Sequence, residues 1–445
     1  TRRKEHGLTA KAIGIGMIGC GTVGGGVATL LREQAALYEQ RVGRPVALRR
    51  VLVRDVAKAC RAGEVDRALL TDDADAFFDT PDVSVVVEVA GGRGVVSEHV
   101  RRALKAGKHV VTANKALLAA EGPELFALAR QHQAAIAFEA SCAGGIPCVT
   151  ALKFGLMANR IAGLYGILNG TCNFILTAMS RDGRAYADVL KEAQQKGYAE
   201  ADPTLDVSGK DAAQKLAILA SLAFGAAVPE EAVGCVGIDK LDLADIRFGD
   251  EMGYDIKLLA IAEQQPGEAS ISVGVEPCFI HKHELLAKVE GAFNALSVFG
   301  HAVGHTLYYG AGAGRMPTAS AVVSDVLNVA AGWYPHAFGQ MHLTPDRNGP
   351  AILVSPGERV SRYYLRVNAL DSPGTMAKIT AALGERGISL SAVLQHESAV
   401  GQFVPVVVLT HDAKQGDLHA AVQRIKAMDV IASEPVVIRI VDMPQ

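Results

Sequence analysis

The chain has 445 residues, too many for one ordinary hydrophobic core, so two or three domains are expected. A hydrophobic content of 49% with 46 glycines and only 5% aromatics fits an α/β protein with tight strand-to-helix turns. The net charge of −3 gives no electrostatic case for nucleic acid or an anionic membrane as partner, and no apolar run reaches the ~18 residues that a membrane helix needs.

The basic start TRRKEHGLTAK leads into no apolar stretch of signal-peptide character, so it is not read as a secretory signal, and residues 1–10 receive no fold role. Ala12 to Ile18 is a short apolar strand, and GCGTVGGGVATLL follows it directly. Gly19, Gly21 and Gly24 fit G-x-G-x-x-G between a buried strand and a helix, a turn through which backbone approaches a pyrophosphate. The second strand, Val46 to Val53, ends in Arg54-Asp55 with Lys58 just beyond. An acidic residue there binds a ribose 2′-hydroxyl and a basic one a 2′-phosphate. Arg54 and Lys58 favour NADP, with dual use of NAD as the rival reading.

Val83 to Val89 is a third strand, followed by Ala90-Gly91-Gly92. Ser97 to Gly107 reads as helix, and His109 to Thr112 as a strand ending at Ala113-Asn114-Lys115. Ligands of doubly wound sheets lie at the carboxyl ends of strands, so Lys115 points into the cofactor crevice. After the strand Ile136 to Glu139, the loop Ala140–Pro147 could converge carbonyls on a hard monovalent cation, or be a plain hinge. Ile161 to Leu168 is a strand that ends in NGTCN and opens another helix.

The segment KGYAEADPTLDVSGKDAAQKLAILA, residues 196–220, is dense in carboxylates and lysines before it turns apolar. Pro203 and Gly209 keep its first half extended or turned, and Ser208 is placed to cap the helix that follows. On that helix Asp211 and Lys215 are four apart and share a face. Residues 232–310 mix a helical stretch at Asp255–Glu263 with short strands at Ile271–Val275 and Phe279–His281. The His281-x-His283 pair lacks companions for a metal site. A second glycine loop, Tyr308 to Gly314, precedes an amphipathic helix from Pro317, and residues 340–360 read as a linker. From residue 361 onward a βαββαβ order restarts, a small ferredoxin-like unit with one sheet face to bury or share. The seven cysteines contain no C-x-x-C pair, which argues for reduced thiols in a cytosolic protein and against structural zinc.

Taken together, GCGTVGGGV, TANKALLA, EASCAGGIP, NGTCNFIL, GYAEADPTLDVSGKDAAQKLAILA and YYGAGAGRMPTASAVVSD resemble homoserine dehydrogenase, in family order over residues 13–330. The tail with DSPGTMAKI resembles an ACT domain, as in monofunctional bacterial enzymes. The resemblance implies a Rossmann-type nucleotide domain over residues 1–140, completed by a helix at about 317–335. It further implies an α+β substrate and dimerisation domain over residues 141–316, and a ferredoxin-like ACT domain over residues 361–445 after the linker.

The implied activity is the NAD(P)-dependent interconversion of L-homoserine and L-aspartate 4-semialdehyde, with threonine as effector, in a cytoplasmic homodimer or homotetramer. Carried over by motif, Lys215 is the acid/base, with Lys115 and Asp211 as its catalytic companions. Glu200, Asp206 and Lys115 bind substrate, Glu200 taking its amino group. Gly19, Gly21, Thr22, Val23, Arg54, Lys58, Lys115, Gly170 and Gly312 contact the cofactor. A sodium ion is expected on the backbone oxygens of Glu139, Cys142, Gly144 and Ile146, and Asp371 and Gly374 mark the regulatory turn. Cys142 stands where the family usually has Val, and Cys172 where it usually has Thr. Two rivals are weaker. An aspartate-semialdehyde dehydrogenase needs a nucleophilic Cys with a His base, and a non-catalytic sensor has no need for this set of lysines and carboxylates.

Overall fold

The computed structural model describes residues 11–265, 267–396 and 401–444; residues 1–10 lie outside the described part. The chain divides into two compact units. The first runs up to residue 160 and adds residues 217–232 and 308–351; the second holds residues 161–216, 233–307 and 352–445.

In the first unit β1 (Ile13–Ile18), β2 (Val46–Leu52), β3 (Leu70–Thr71), β4 (Val83–Glu88), β5 (His109–Thr112) and β6 (Ile136–Ala137) form one parallel sheet. Their order is β3-β2-β1-β4-β5-β6, so the winding reverses between β1 and β4. A sheet with both faces covered needs apolar residues on both sides of each strand. Hence Met17, Val85, Val86, Val87, Val110 and Val111 are all essentially inaccessible to water. Each such side chain contributes about 1.5–3 kcal/mol relative to exposure. The helix Arg315–Ala330 lies against Thr22–Glu33 so closely that a Cβ on Gly26 would come within 2.9 Å of the Ala319 methyl.

The strands continue as β7 (Ile161–Ile167), β8 (Gly234–Cys235), β9 (Tyr254–Gln264), β10 (Ile271–His281) and β11 (Phe293–Gly300) in the second unit, and β12 (Gly304–Ala311), whose residues from 308 on are counted with the first. The C-terminal region adds β13 (Val360–Leu370), β14 (Leu390–Gln395), β15 (Phe403–Thr410), β16 (Ala413–Lys414) and β17 (Val436–Val441). Helices Thr375–Gly384 and Gln415–Lys426 complete the βαββαβ order expected there. One eleven-stranded sheet joins all of these, in the order β12-β11-β7-β9-β10-β17-β13-β15-β14, with β8 on β10 and β16 on β13.

The helix expected at residues 255–263 is instead strand β9. Lys, Leu, Ala and Glu favour helix locally, but a short apolar run does not distinguish a helix from a strand buried on both faces. Paired on both edges, by β7 and by β10, the segment buries Ile256 to Ala262 without a gap, and tertiary packing overrides propensity. The two short strands expected at 271–281 are one, with Pro277 just before the point at which the β17 pairing starts.

The C-terminal region does not stand apart from the rest of its unit. β17 pairs in parallel with β10 at Cys278↔Arg439, Phe279↔Ile440 and Ile280↔Val441. Arg366 of β13 grips the fully buried Asp245 with Nε at 2.6 Å and Nη2 at 2.9 Å, and the Tyr364 hydroxyl donates to the same carboxylate at 2.8 Å. Arg439 of β17 reaches Glu263 of β9 at 2.9 Å, whose other oxygen accepts from the Tyr165 hydroxyl at 2.6 Å.

Candidate active site

The glycine turn after β1 sits at the switch point of the first sheet, and its three glycines do different work. Gly19 has φ +96°, and a Cβ there would lie 2.8 Å from the Ala90 backbone at the end of β4. A Cβ on Gly24 would lie 2.5 Å from the Gly19 carbonyl, so this glycine lets the helix pack close to the turn. A Cβ on Gly21 would meet no protein atom. What glycine supplies at that position is approach from outside, the cradle that a pyrophosphate requires. Thr22 and Val23 open the helix, where backbone N–H groups have no intrahelical acceptor and favour an anion. These residues fit a dinucleotide. At the end of β2, Arg54, Asp55 and Lys58 are exposed, and the Asp55 carboxylate caps the helix Val56–Ala62 by accepting from the Lys58 N–H at 2.8 Å.

Lys115 is the first residue of the helix Lys115–Gln131, and a buried network fixes that start. Glu88, at the end of β4, accepts the N–H groups of Ala90 and Gly91 at 2.9 Å each and the Thr112 hydroxyl at 2.6 Å. Asn114 caps the helix at the Leu117 N–H and donates to the Gly92 carbonyl at 2.6 Å. The turns after β4 and β5 are thereby tied to one another, and Lys115 leaves from the tie.

The loop expected to hold a cation also lies in the first unit. Ala143 and Gly144 both have positive φ, +52° and +57°. A Cβ on Gly144 would come 2.5 Å from the Gly312 carbonyl, and Gly145 donates to the Ala311 carbonyl at 3.1 Å, so the two glycine loops meet backbone to backbone. The Glu139 carboxylate accepts from the N–H groups of Val149 and Thr150, while its own N–H donates to Asp325 at 2.8 Å. Burial raises the pKa of both carboxyls and lowers that of the nearby Lys153, whose Nζ lies 2.9 Å from the Tyr334 hydroxyl and 3.6 Å from the centre of the Phe138 ring. The carbonyls of Glu139 and Ile146 accept from Cys142 and Cys148, and a carbonyl oxygen retains a second lone pair for a further partner.

The second unit holds the other group of expected residues. Lys215 is only 12% exposed; its Nζ donates to the Leu168 carbonyl at the end of β7 and to Asp211 Oδ2, both at 2.7 Å. Asn169, next to Leu168 and buried, donates to Asp206 Oδ1 at 2.8 Å and to Asp211 Oδ2 at 2.9 Å. Its Oδ1 caps the helix Gly170–Asp182 at the Cys172 N–H. Burial, then repulsion from Asp211 and Glu200, raises the Asp206 pKa, opposed by the Asn169 hydrogen bond and the charge on Lys215. Cys172 packs its thiol 3.3 Å from the Asp206 carbonyl. Gly170 is required for packing, since a Cβ there would lie 2.6 Å from the Ala292 carbonyl. Glu200 is exposed, and its carbonyl accepts from the Gln194 amide at 3.2 Å.

One sequence expectation fails at this site, and one residue of it was missed. Ser208 does not cap the helix Lys210–Phe224: it ends the short helix Thr204–Val207 in a right-handed conformation, and its hydroxyl is buried without a hydrogen-bond partner among the described residues. A capping residue needs extended backbone, and Gly209 at φ +82° makes the turn instead. Asn169 escaped notice because its signal, an Asn between a strand and a helix, looks like any N-cap. In the C-terminal region Asp371 exchanges backbone hydrogen bonds with Gly401 and Gln402, and Gly374, at φ +88°, opens the helix Thr375–Gly384.

Three family models match the chain: "Homoserine dehydrogenase, NAD binding domain" over residues 19–139, "Homoserine dehydrogenase" over 147–327 and "ACT domain" over 363–429. A homoserine dehydrogenase of Neisseria gonorrhoeae is 42% identical over 432 residues, 96% of this chain and 98% of its own. One of Bacillus subtilis is 40% identical over 424 residues, 95% and 96% of the two chains. Among solved structures, a homoserine dehydrogenase from Thiobacillus denitrificans matches with TM-score 0.91 and 43% identity, covering 97% of this chain and 99% of that one. A hyperthermophilic archaeal homoserine dehydrogenase, described in complex with NADPH, matches with TM-score 0.60 and 26% identity over 72% of this chain and 97% of its own. Relatedness at this level over nearly the whole length, together with the glycine turn and the clamped lysine, makes this chain a member of the homoserine dehydrogenase family, NAD(P)-dependent oxidoreductases, with a C-terminal ACT domain.

Proposed function

We propose that the protein interconverts L-aspartate 4-semialdehyde and L-homoserine, with Lys215 as the acid/base for the reacting oxygen. The observation that carries this reading is the clamp on Lys215: a backbone carbonyl and a carboxylate hold a nearly buried ammonium at the end of a strand. The bound nicotinamide supplies the hydride. The chain's own task is to orient the carbon and manage one proton. Negative charge builds on the aldehyde oxygen as it is reduced, and an ammonium fixed beforehand stabilises that charge at little reorganisation cost and can give up a proton. Asp211 holds the ammonium in place, Asp206 and Glu200 present carboxylates for the substrate's amino group, and Lys115 is assigned to substrate and nicotinamide through its motif. The experiment is a spectrophotometric assay of homoserine-dependent NADP reduction. Lys215→Ala should lose ~10²–10⁴ in kcat while nucleotide titration is unchanged. Near-normal turnover in that variant would remove Lys215 from the mechanism.

NADP is the preferred cofactor in this reading. The Asp55 carboxylate is engaged as a helix cap, which leaves Arg54 and Lys58 as the charges for a 2′-phosphate, and an archaeal relative is described with NADPH. The nucleotide domain spans residues 1–140 with a completing helix at about 317–335, the substrate domain 141–316, and the ACT domain 361–445 beyond a linker at 340–360. Gly170 and Gly312 join the cofactor contacts, and sodium binds the backbone oxygens of Glu139, Cys142, Gly144 and Ile146. The back-to-back positive φ values at Ala143 and Gly144, which turn successive carbonyls, support that site. Threonine is the proposed effector of a cytoplasmic homodimer or homotetramer, bound at the turn from Asp371 to Gly374, where a helix N-terminus favours a carboxylate. Threonine titrated into the full-length enzyme should lower the rate, and Asp371→Asn should raise the concentration required. An unchanged rate at saturating threonine would assign the ACT domain a structural role alone.

A further inference from the structure

Lys215 donates two hydrogen bonds to acceptors that a single dipeptide governs. Leu168 supplies the carbonyl; Asn169, the next residue, donates to the very carboxylate oxygen, Asp211 Oδ2, that also holds the ammonium. A primary amide has two N–H groups. Asn169 donates one to Asp211 and the other to Asp206, carboxylates carried by two different helices, while its Oδ1 caps a third. All three ends of this side chain are thus committed, at 2.8–2.9 Å, in a place where it is 5% exposed.

We propose that Asn169 is a positioning residue for the reaction: its amide stands between Asp206 and Asp211, keeps the two carboxylates apart as acceptors, and thereby fixes the oxygen that aims Lys215. The inference rests on the assignment of Lys215 as acid/base. Its physical basis is donor chemistry. Two neighbouring carboxylates, Asp211 buried and Asp206 partly so, otherwise relieve their repulsion by sharing a proton, and a protonated Asp211 would hold an ammonium less firmly. An amide donating to both stabilises the doubly ionised state without adding a charge. The titratable groups facing it are Asp211 and Lys215 on the helix Lys210–Phe224, Asp206 on the short helix, Glu200 in the loop before it, and the Cys172 thiol on the helix that Asn169 caps. Asp206 already lies above the usual aspartate range through burial, and the Asn169 bond works against that rise.

Asn169→Ser tests this, because Ser still caps a helix but cannot donate to two carboxylates. In the full-length enzyme, kcat should fall roughly 10–10²-fold with KM for nucleotide unchanged. The acidic limb of the kcat profile should move to higher pH, because the carboxylates lose a bond that favours their ionised form. Asn169→Asp accompanies it, retaining shape and cap while replacing donors by an acceptor, and should show a larger shift in the same direction. Either variant, folded by circular dichroism but with parental kcat and an unmoved acidic limb, overturns the proposal. Lys215→Ala separates the two readings. If that variant keeps its turnover, the acid/base assignment fails by itself. If it loses turnover while the Asn169 variants do not, only the positioning role fails.

Discussion

At residue scale, the burial of Asp206 has a consequence that separates stability from activity. Its folded-state pKa is raised, chiefly by desolvation, so the folded protein binds this proton more tightly than the unfolded chain does. The associated cost is absent below the ordinary aspartate value of 3.8, grows as pH rises toward the folded value, and is fully present above it. Asp206→Asn removes that cost. Its Tm relative to the parent should therefore be more favourable at pH 7 than at pH 4, while kcat falls roughly 10–10²-fold through the displaced site. Calorimetry at the two pH values, beside steady-state rates, checks both halves. The reverse pH trend in Tm would show that Asp206 is instead held ionised by its neighbours. The Asp211–Lys215 pair was legible in the sequence because four residues on a helix bring two side chains onto one face. Asn169 was not, because its partners lie 37 and 42 residues away, and only the folded backbone brings them within reach.

At the scale of elements, the glycine turn separates packing from binding. A Cβ at Gly24 would strike the Gly19 carbonyl at 2.5 Å, whereas one at Gly21 meets nothing. Gly24→Ala should lower Tm, with a cost on the order of the 1–3 kcal/mol typical of overpacking. Gly21→Ala should leave Tm within a degree or two of the parent and weaken nucleotide binding, read by fluorescence titration. Equal effects on both quantities in the two variants would contradict this division. In the same unit, Lys153 is buried with two carboxyls whose pKa values burial raises, Glu139 and Asp325. Lys153→Ala removes that nearby charge and leaves the Tyr334 hydroxyl oxygen without its donor, and should cost about 1–3 kcal/mol in urea unfolding. Sequence pattern identified the strand–turn–helix because glycine spacing is a local requirement. It misread residues 255–263, since propensity there points to helix and only pairing on both edges makes a strand.

For the whole molecule, the decisive feature is that the C-terminal domain shares its sheet with the rest of the second unit. Ending the chain near Val360 would strip β17 from β10 and leave the buried Asp245 without Arg366, and Glu263 without Arg439. A carboxylate left buried without its partner is costly, so this truncated form should be recovered insoluble or with a much lower Tm than the parent. A soluble, fully active truncated form would show that the shared sheet contributes little. Effector tests therefore belong on the full chain with point substitutions. The sequence by itself determined the nucleotide-binding half, the lysine and carboxylate on one helix and the βαββαβ order of the tail, because each depends on spacing between near neighbours. The tertiary structure alone decided that β9 is a strand, that Ser208 ends one helix and does not cap the next, that Asn169 joins two carboxylates, and that β10 and β17 run side by side. These depend on partners distant along the chain, which no local period encodes.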